Sequence, residues 1–185
     1  AVASPDGSPG MLEREHQEDF CQALGVVPET KYQNEGGPSL KQCFDLVRQV
    51  SSVPVLDLRA ILDAVVFNFL VGNHDAHGKN FSILYGRQTR LAPLYDVVST
   101  AFYPELSTKM AMKLGGEYAS EKITARHFDA FADEVGLGKP MVRSRLRELA
   151  EGVVANLPSM DTGHPVAKAL AMLVRSRCEK TLQGF

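Results

Sequence analysis

The 185-residue chain is short of cysteine, of long apolar runs and of net charge, and each shortage removes a class of function. Its three cysteines, Cys21, Cys43 and Cys178, are odd in number and widely separated. They form no CxxC pair and no zinc-ligand spacing, which leaves structural thiols in a reducing, cytoplasmic setting. No apolar stretch approaches the ~20 residues that cross a bilayer, so no membrane partner is expected. The run from Val65 to Val71 is too short and contains Asn68. Residues 1–10 lack the basic start and apolar stretch of a signal peptide. A net charge of -2 gives no global attraction to nucleic acid or anionic lipid. There is no GxSxG nucleophile elbow, no HExxH zinc helix and no internal repeat.

What is there is an ordinary globular composition, enough for one substantial core, and a clear helical periodicity. Ser4 to Gly10 is turn-rich, with Ala1 to Ala3 as the stump of a strand. Gln17 to Leu24 reads as helix ending near Gly25. Ser39 with Gln42 three positions on is a capping-box pattern, opening a helix whose apolar side carries Leu40, Cys43, Phe44, Val47 and Val50. Leu58, Ile61, Leu62, Val65, Val66, Phe69 and Leu70 predict a core helix over roughly 57–71, approached from several sides and stopped by Gly72. Phe81 to Tyr85 and Arg90 to Ala92, joined by a turn at 86–89, predict a β-hairpin. Three further helices follow after about Thr124. The expected fold class is mainly α with one short, functional-looking hairpin.

The chemistry concentrates between the core helix and that hairpin. Gly72-Asn73-His74-Asp75-Ala76-His77-Gly78-Lys79-Asn80-Phe81-Ser82 sets Asp75 and Asn80 five positions apart, and Leu91 to Asp96 follows. A carboxylate, an amide and a second carboxylate in this order match kinase-like phosphoryl-transfer sites. Asp75 accepts or orients the substrate hydroxyl, and must be ionised to do so. Asn80 and Asp96 offer the hard oxygen ligands that magnesium prefers. Lys79 can approach a phosphate or face water. His77 can fix the loop by bonding near Asp75 or Asp96. The hairpin should bring Asp96 back beside Asn80.

Two other readings of the same residues stand beside this one. Asp and Asn are common in turns for purely local hydrogen-bonding reasons, so the loop can be structural. His74, Asp75, His77 and Asp96 could instead hold a metal that activates water, although their setting is loop-like and not a zincin helix.

The chain resembles the C-terminal lobe of HipA-type serine/threonine kinases, the toxin components of bacterial toxin–antitoxin pairs. The resemblance is carried by His16 to Gly25, Lys31 to Pro38, Gly72 to Ser82, Leu91 to Asp96, Lys109 to Lys113 and Arg126 to Phe128. It runs over nearly the whole chain and implies that residues 1–185 form a helical C-terminal kinase lobe. By this resemblance Asp75 matches the catalytic aspartate, with His77 the loop histidine of the same catalytic motif. Asn80 and Asp96 match the magnesium-binding pair, with Lys79 beside them toward the nucleotide. The implied cofactors are ATP and Mg2+. The implied partners are a protein substrate, of which glutamyl-tRNA synthetase is the founding type, a small helix-turn-helix antitoxin, and operator DNA reached through the antitoxin complex.

One departure follows from the same comparison. No Gly-rich strand pair and no Val-Ala-x-Lys strand lies before Asp75, and Gly36-Gly37 before Pro38 reads as a turn between helices. The ATP-clamping N-terminal lobe of the family is therefore expected outside this chain, and the isolated chain is expected to transfer phosphate poorly. A kinase-like module that only binds an antitoxin or another protein is the alternative. Arg143, Arg145, Arg147, Arg175 and Arg177 are offset by Glu148, Glu151 and Glu179 and read as solvated helix faces before a DNA-contacting patch. His16, His127 and His164 are expected to have local roles.

Overall fold

The computed structural model describes residues 14–159 and 163–184. The turn-rich segment at 4–10 and its flanking stump lie outside the described residues.

The core is built around one helix that is apolar on nearly every side. Helix α3 spans Pro54–Val71, with Pro54 in its first turn and Gly72 closing it in the left-handed conformation (φ 76°). Ile61, Leu62, Val66 and Leu70 are fully buried. Each such side chain contributes roughly 1.5–3 kcal/mol when removed from water. Helix α2 (Leu40–Val50), α5 (Lys139–Asn156) and α6 (Pro165–Gly184) pack on different sides of α3. Helix α4 (Ala125–Glu134) packs on α5 and brings Phe128 against Phe69, ring edge to ring face. The expected capping box of α2 is present: Ser39 Oγ accepts from the Gln42 N–H and Gln42 Oε1 accepts from the Ser39 N–H.

The expected hairpin is also present, as β2 (Ser82–Tyr85) and β3 (Thr89–Leu91). It gains a third strand. Residues His16–Asp19, expected within a helix, form β1, antiparallel to β2 with Asp19 opposite Ser82. Only Phe20–Ala23 is helical (α1), because Asp19 caps it by accepting from the Gln22 N–H. A second hairpin, not expected from the sequence, comprises β4 (Lys109–Leu114) and β5 (Glu117–Ala119). Its turn requires glycine at Gly115: φ is 56°, and a Cβ there would sit 2.0 Å from the His127 carbonyl oxygen. The fold is mainly helical, with two small sheets.

An ion pair between a buried carboxylate and a partly exposed arginine ties the sheet to the core. Asp57, in the first turn of α3, is 2 % exposed. Its carboxylate accepts from Arg90 Nε (3.1 Å) and Nη2 (2.9 Å), from Ser51 Oγ (2.6 Å) and from the Leu91 N–H (3.0 Å). The start of α3 thereby holds β3 in place. Arg145 makes a similar strut from α5, its guanidinium donating to both oxygens of Asp63 at 2.8 Å. This corrects the reading of Arg145 as a solvated residue. Arg143, paired with Asp129, and Arg175, paired with Glu179, fit that reading.

Candidate active site

Gly72 ends α3 and starts the candidate catalytic loop, and a dense set of bonds fixes the chain here. The Gly72 carbonyl accepts from the Ala101 N–H (3.0 Å) and Thr100 Oγ1 (3.1 Å). A Cβ on Gly72 would lie 2.6 Å from Ala101 Cβ, so the close approach of segment 100–102 needs glycine. From the other side, Arg177 of α6 donates to the carbonyls of Phe69 (2.7 Å), which also accepts from the Gly72 N–H, and Leu70 (3.2 Å), in the last turn of the ending helix.

Asn73 is the hub of the loop. Its Nδ2 donates to Asn68 Oδ1 on α3 (2.8 Å) and to the Asp96 carbonyl (3.2 Å), while its Oδ1 accepts from the Asp75 N–H (3.2 Å). One buried amide therefore sets the backbone at both candidate acidic residues. Asp96 itself has φ 56°, the only positive value at a non-glycine position among the described residues. Such conformations are costly and gather at functional sites.

The side chains of the expected site converge as follows. Asn80 sits in the 3-10 turn Gly78–Asn80; its Oδ1 accepts from the His77 N–H (2.9 Å) and its Nδ2 donates to Asp96 Oδ2 (2.5 Å). The hairpin thus brings Asp96 to Asn80. Asp75 keeps its side chain 43 % exposed, and its Oδ1 accepts from the Tyr32 hydroxyl at 2.6 Å. His77 Nε2 lies 4.0 Å from Asp75 Oδ2, and His77 Nδ1 is buried without a hydrogen-bond partner. Burial, assisted by Lys31, pulls the His77 pKa below its ordinary value against the pull of Asp75. The ring is therefore neutral near pH 7, suited to shaping the loop more than to carrying charge. Lys79 is half-buried, and its carbonyl accepts from the Tyr95 hydroxyl (2.6 Å), which also meets Ser82 Oγ at 2.6 Å.

The metal-hydrolase reading fails on His74. Its Nδ1 meets the Ser107 carbonyl (3.2 Å) and its Nε2 meets Ser120 Oγ (2.8 Å), so both ring nitrogens serve as struts to the β4–β5 region. Among the described residues no group of three or more His, Cys, Asp or Glu side chains could hold a metal ion. A magnesium site of the kinase type needs fewer protein ligands, because that ion keeps several waters and binds nucleotide phosphates. Asp96 offers a carboxylate, and Asn80 Oδ1 retains a second lone pair beyond the one facing His77. The amide group now turned to Asp96 is the NH2, so cation binding between the two replaces that hydrogen bond.

A family model for the HipA-like C-terminal domain matches residues 5–157. The chain belongs to this family. It is 54 % identical over 143 residues to the putative kinase Y4mE of Sinorhizobium fredii, covering 77 % of this chain and 34 % of that protein. It is 32 % identical over 193 aligned positions to the serine/threonine-protein kinase toxin HipA of Shewanella oneidensis, covering 93 % of this chain and 44 % of that protein. It superposes with a TM-score of 0.86, at 28 % identity, on a chain of the solved complex of HipA, HipB and operator DNA from Shewanella oneidensis MR-1, covering 95 % of this chain and 46 % of that one. The chain thus spans between a third and a half of the length of these relatives.

Within this HipA-like lobe, sequence reasoning missed Tyr32, Asn73 and Arg177 as parts of the site. Tyr32 lies 43 positions from its partner Asp75, and Arg177 lies beyond residue 157, where the family match ends. Asn73 was within reach of reasoning: an amide directly after a helix-ending glycine is placed to bond both chain segments. The three cysteines are free and buried, in keeping with structural thiols. Among the described residues no helix is long and apolar enough to cross a membrane.

Proposed function

We propose that this chain is the catalytic lobe of an ATP- and magnesium-dependent serine/threonine protein kinase, acting within a longer protein as the toxin of a toxin–antitoxin pair. The observation that carries the proposal is the convergence of Asp75, Asn80 and Asp96 around the Asn73 hub. Asp75 is open to solvent and takes the proton of a serine or threonine hydroxyl, or orients that oxygen for attack. Asn80 and Asp96 would hold magnesium, which when bound neutralises the nucleotide phosphates. Asn73 and Arg177 keep the loop at fixed geometry so that little reorganisation accompanies the reaction. Lys79, which precedes Asn80 in the same turn, would meet a phosphate, and His77 would shape the loop beside Asp75.

The kinase toxin named above and the HipA–HipB–operator complex support the assignment of partners: a helix-turn-helix antitoxin, and operator DNA through it. The family resemblance makes a translation-related protein the substrate, with glutamyl-tRNA synthetase the first to test. ATP clamping is assigned to a second lobe outside residues 1–185.

The test is ATP-dependent phosphate transfer by the full-length parent, by its Asp75→Asn variant and by the isolated chain, with magnesium and a bacterial proteome. Labelled sites are read by mass spectrometry. Transfer to serine or threonine that falls roughly 10²–10⁴-fold in Asp75→Asn is expected, with little from the isolated chain. A well-folded, ATP-binding parent that transfers nothing sinks the proposal. One observation favours a partner-binding module in that event: Leu94, Val98, Tyr103 and Leu106, just before and after Asp96, are exposed.

A further inference from the structure

We propose that Tyr32 is a positioning residue of the phosphoryl-transfer site, its hydroxyl holding one carboxylate oxygen of Asp75 so that the other is presented to the incoming substrate hydroxyl. This inference rests on the kinase reading of Asp75. The bond is short, 2.6 Å from the Tyr32 hydroxyl to Asp75 Oδ1, while Asp75 Oδ2 lies 4.0 Å from His77 Nε2, on a side chain 43 % exposed. The two oxygens therefore have different environments: one is held and the other is open. The hydroxyl is a dependable donor, because the bond to Asp75, together with burial, pushes its pKa up to about 12.

The segment that carries Tyr32 is built to stay in place. Its carbonyl accepts from the Glu35 N–H (3.0 Å) and the Gly37 N–H (2.8 Å), closing a tight loop. A Cβ on Gly37 would lie 2.5 Å from the Thr30 carbonyl oxygen, so this closure needs glycine. Gln33 Oε1 accepts from the Lys113 N–H (2.7 Å), tying the loop to β4. Pro38 presses on the catalytic loop so closely that a Cβ on Gly78 would meet its ring at 2.8 Å. The Tyr32 ring stands edge-on to His77, with Lys31 Nζ 5.0 Å from its centre. Three contacts thus dock residues 31–38 on the loop and on β4, and they bring the phenol to Asp75.

The experiment compares the full-length parent with Tyr32→Phe and Asp75→Asn. Phenylalanine keeps the ring and its edge contact with His77 and removes only the donor. We expect kcat to fall roughly tenfold or more, with KM for ATP and for the protein substrate, and the melting temperature, unchanged. A second readout needs no activity: with tyrosine labelled at Cζ, Asp75→Ala should shift the Tyr32 resonance at neutral pH. Transfer that Asp75→Asn abolishes but Tyr32→Phe leaves unchanged or raises would overturn the role of Tyr32 alone. So would a rise in KM that matches the fall in kcat, or a Tyr32 resonance indifferent to Asp75→Ala. Transfer that survives Asp75→Asn would sink the kinase reading, and this inference with it.

Discussion

Asp57 and Asp75 stand at the two ends of α3, and their surroundings are opposite. Asp57 is 2 % exposed, and its two oxygens are filled by the Arg90 guanidinium, Ser51 and the Leu91 N–H. Asp75 has a side chain 43 % exposed, with a phenol on one oxygen and His77 Nε2 4.0 Å from the other. The same functional group is a strut where every lone pair is engaged and, in the proposed kinase, a reagent where one is not.

That contrast can be broken from either side. The largest effect expected is the roughly 10²–10⁴-fold loss of transfer in Asp75→Asn, with the melting temperature unchanged because that carboxylate faces water. Asp57→Ala should do the reverse. It leaves the Arg90 guanidinium and the Leu91 N–H without their acceptor and costs about 3 kcal/mol, read by urea unfolding, while any residual folded protein keeps its loop chemistry. Arg177→Ala should fall between the two. It removes the side-chain donor from the Leu70 carbonyl and one of two donors from the Phe69 carbonyl, costs about 1–2 kcal/mol, and lowers kcat as the loop loosens. Equal effects of Asp57→Ala and Arg177→Ala on stability, with no effect of the latter on rate, would show that α6 supports the core alone.

The smallest effect is the most diagnostic of sign. At Asp57 burial pushes the carboxyl pKa up, but the bonds from Arg90, Ser51 and Leu91 outweigh it and leave it below the ordinary value. Its stabilisation is therefore present above the unfolded pKa of about 4 and fades as pH falls through the depressed folded value. At His74 burial lowers the pKa despite the bond to the Ser107 carbonyl. The unfolded chain then binds the extra proton first, and stability starts to fall as pH drops below about 6.5. Melting curves from about pH 7 to pH 3 should show the histidine loss first. The difference between wild type and Asp57→Asn should close only at the acid end.

The loop around Asp75, the hairpin after it and the return of Asp96 to Asn80 could be read in advance, because they depend on neighbours close in sequence. Gly72 stops a helix, Gly86 turns a strand, and Asn80 and Asp96 end up on adjacent sides of that turn. The features that escaped depend on pairings between distant segments. Strand β1 is four residues long with no clean alternation, and its strand character comes from β2, more than sixty residues later. The β4–β5 hairpin has an irregular register that no simple pattern announces. Asp57 looks like an ordinary first-turn acid until Arg90 arrives, and Tyr32 like a loop aromatic until the chain closes over Asp75.

Arg177 adds a matter of timing. It completes the end of α3 from 108 positions downstream of Phe69. A ribosome adding about 5–20 residues each second leaves the loop without this cap for roughly 5–20 s after it is made. During that interval a growing copy carries Asp75 on an unfinished support, and a cell making the protein holds it in an immature form before it holds a finished one.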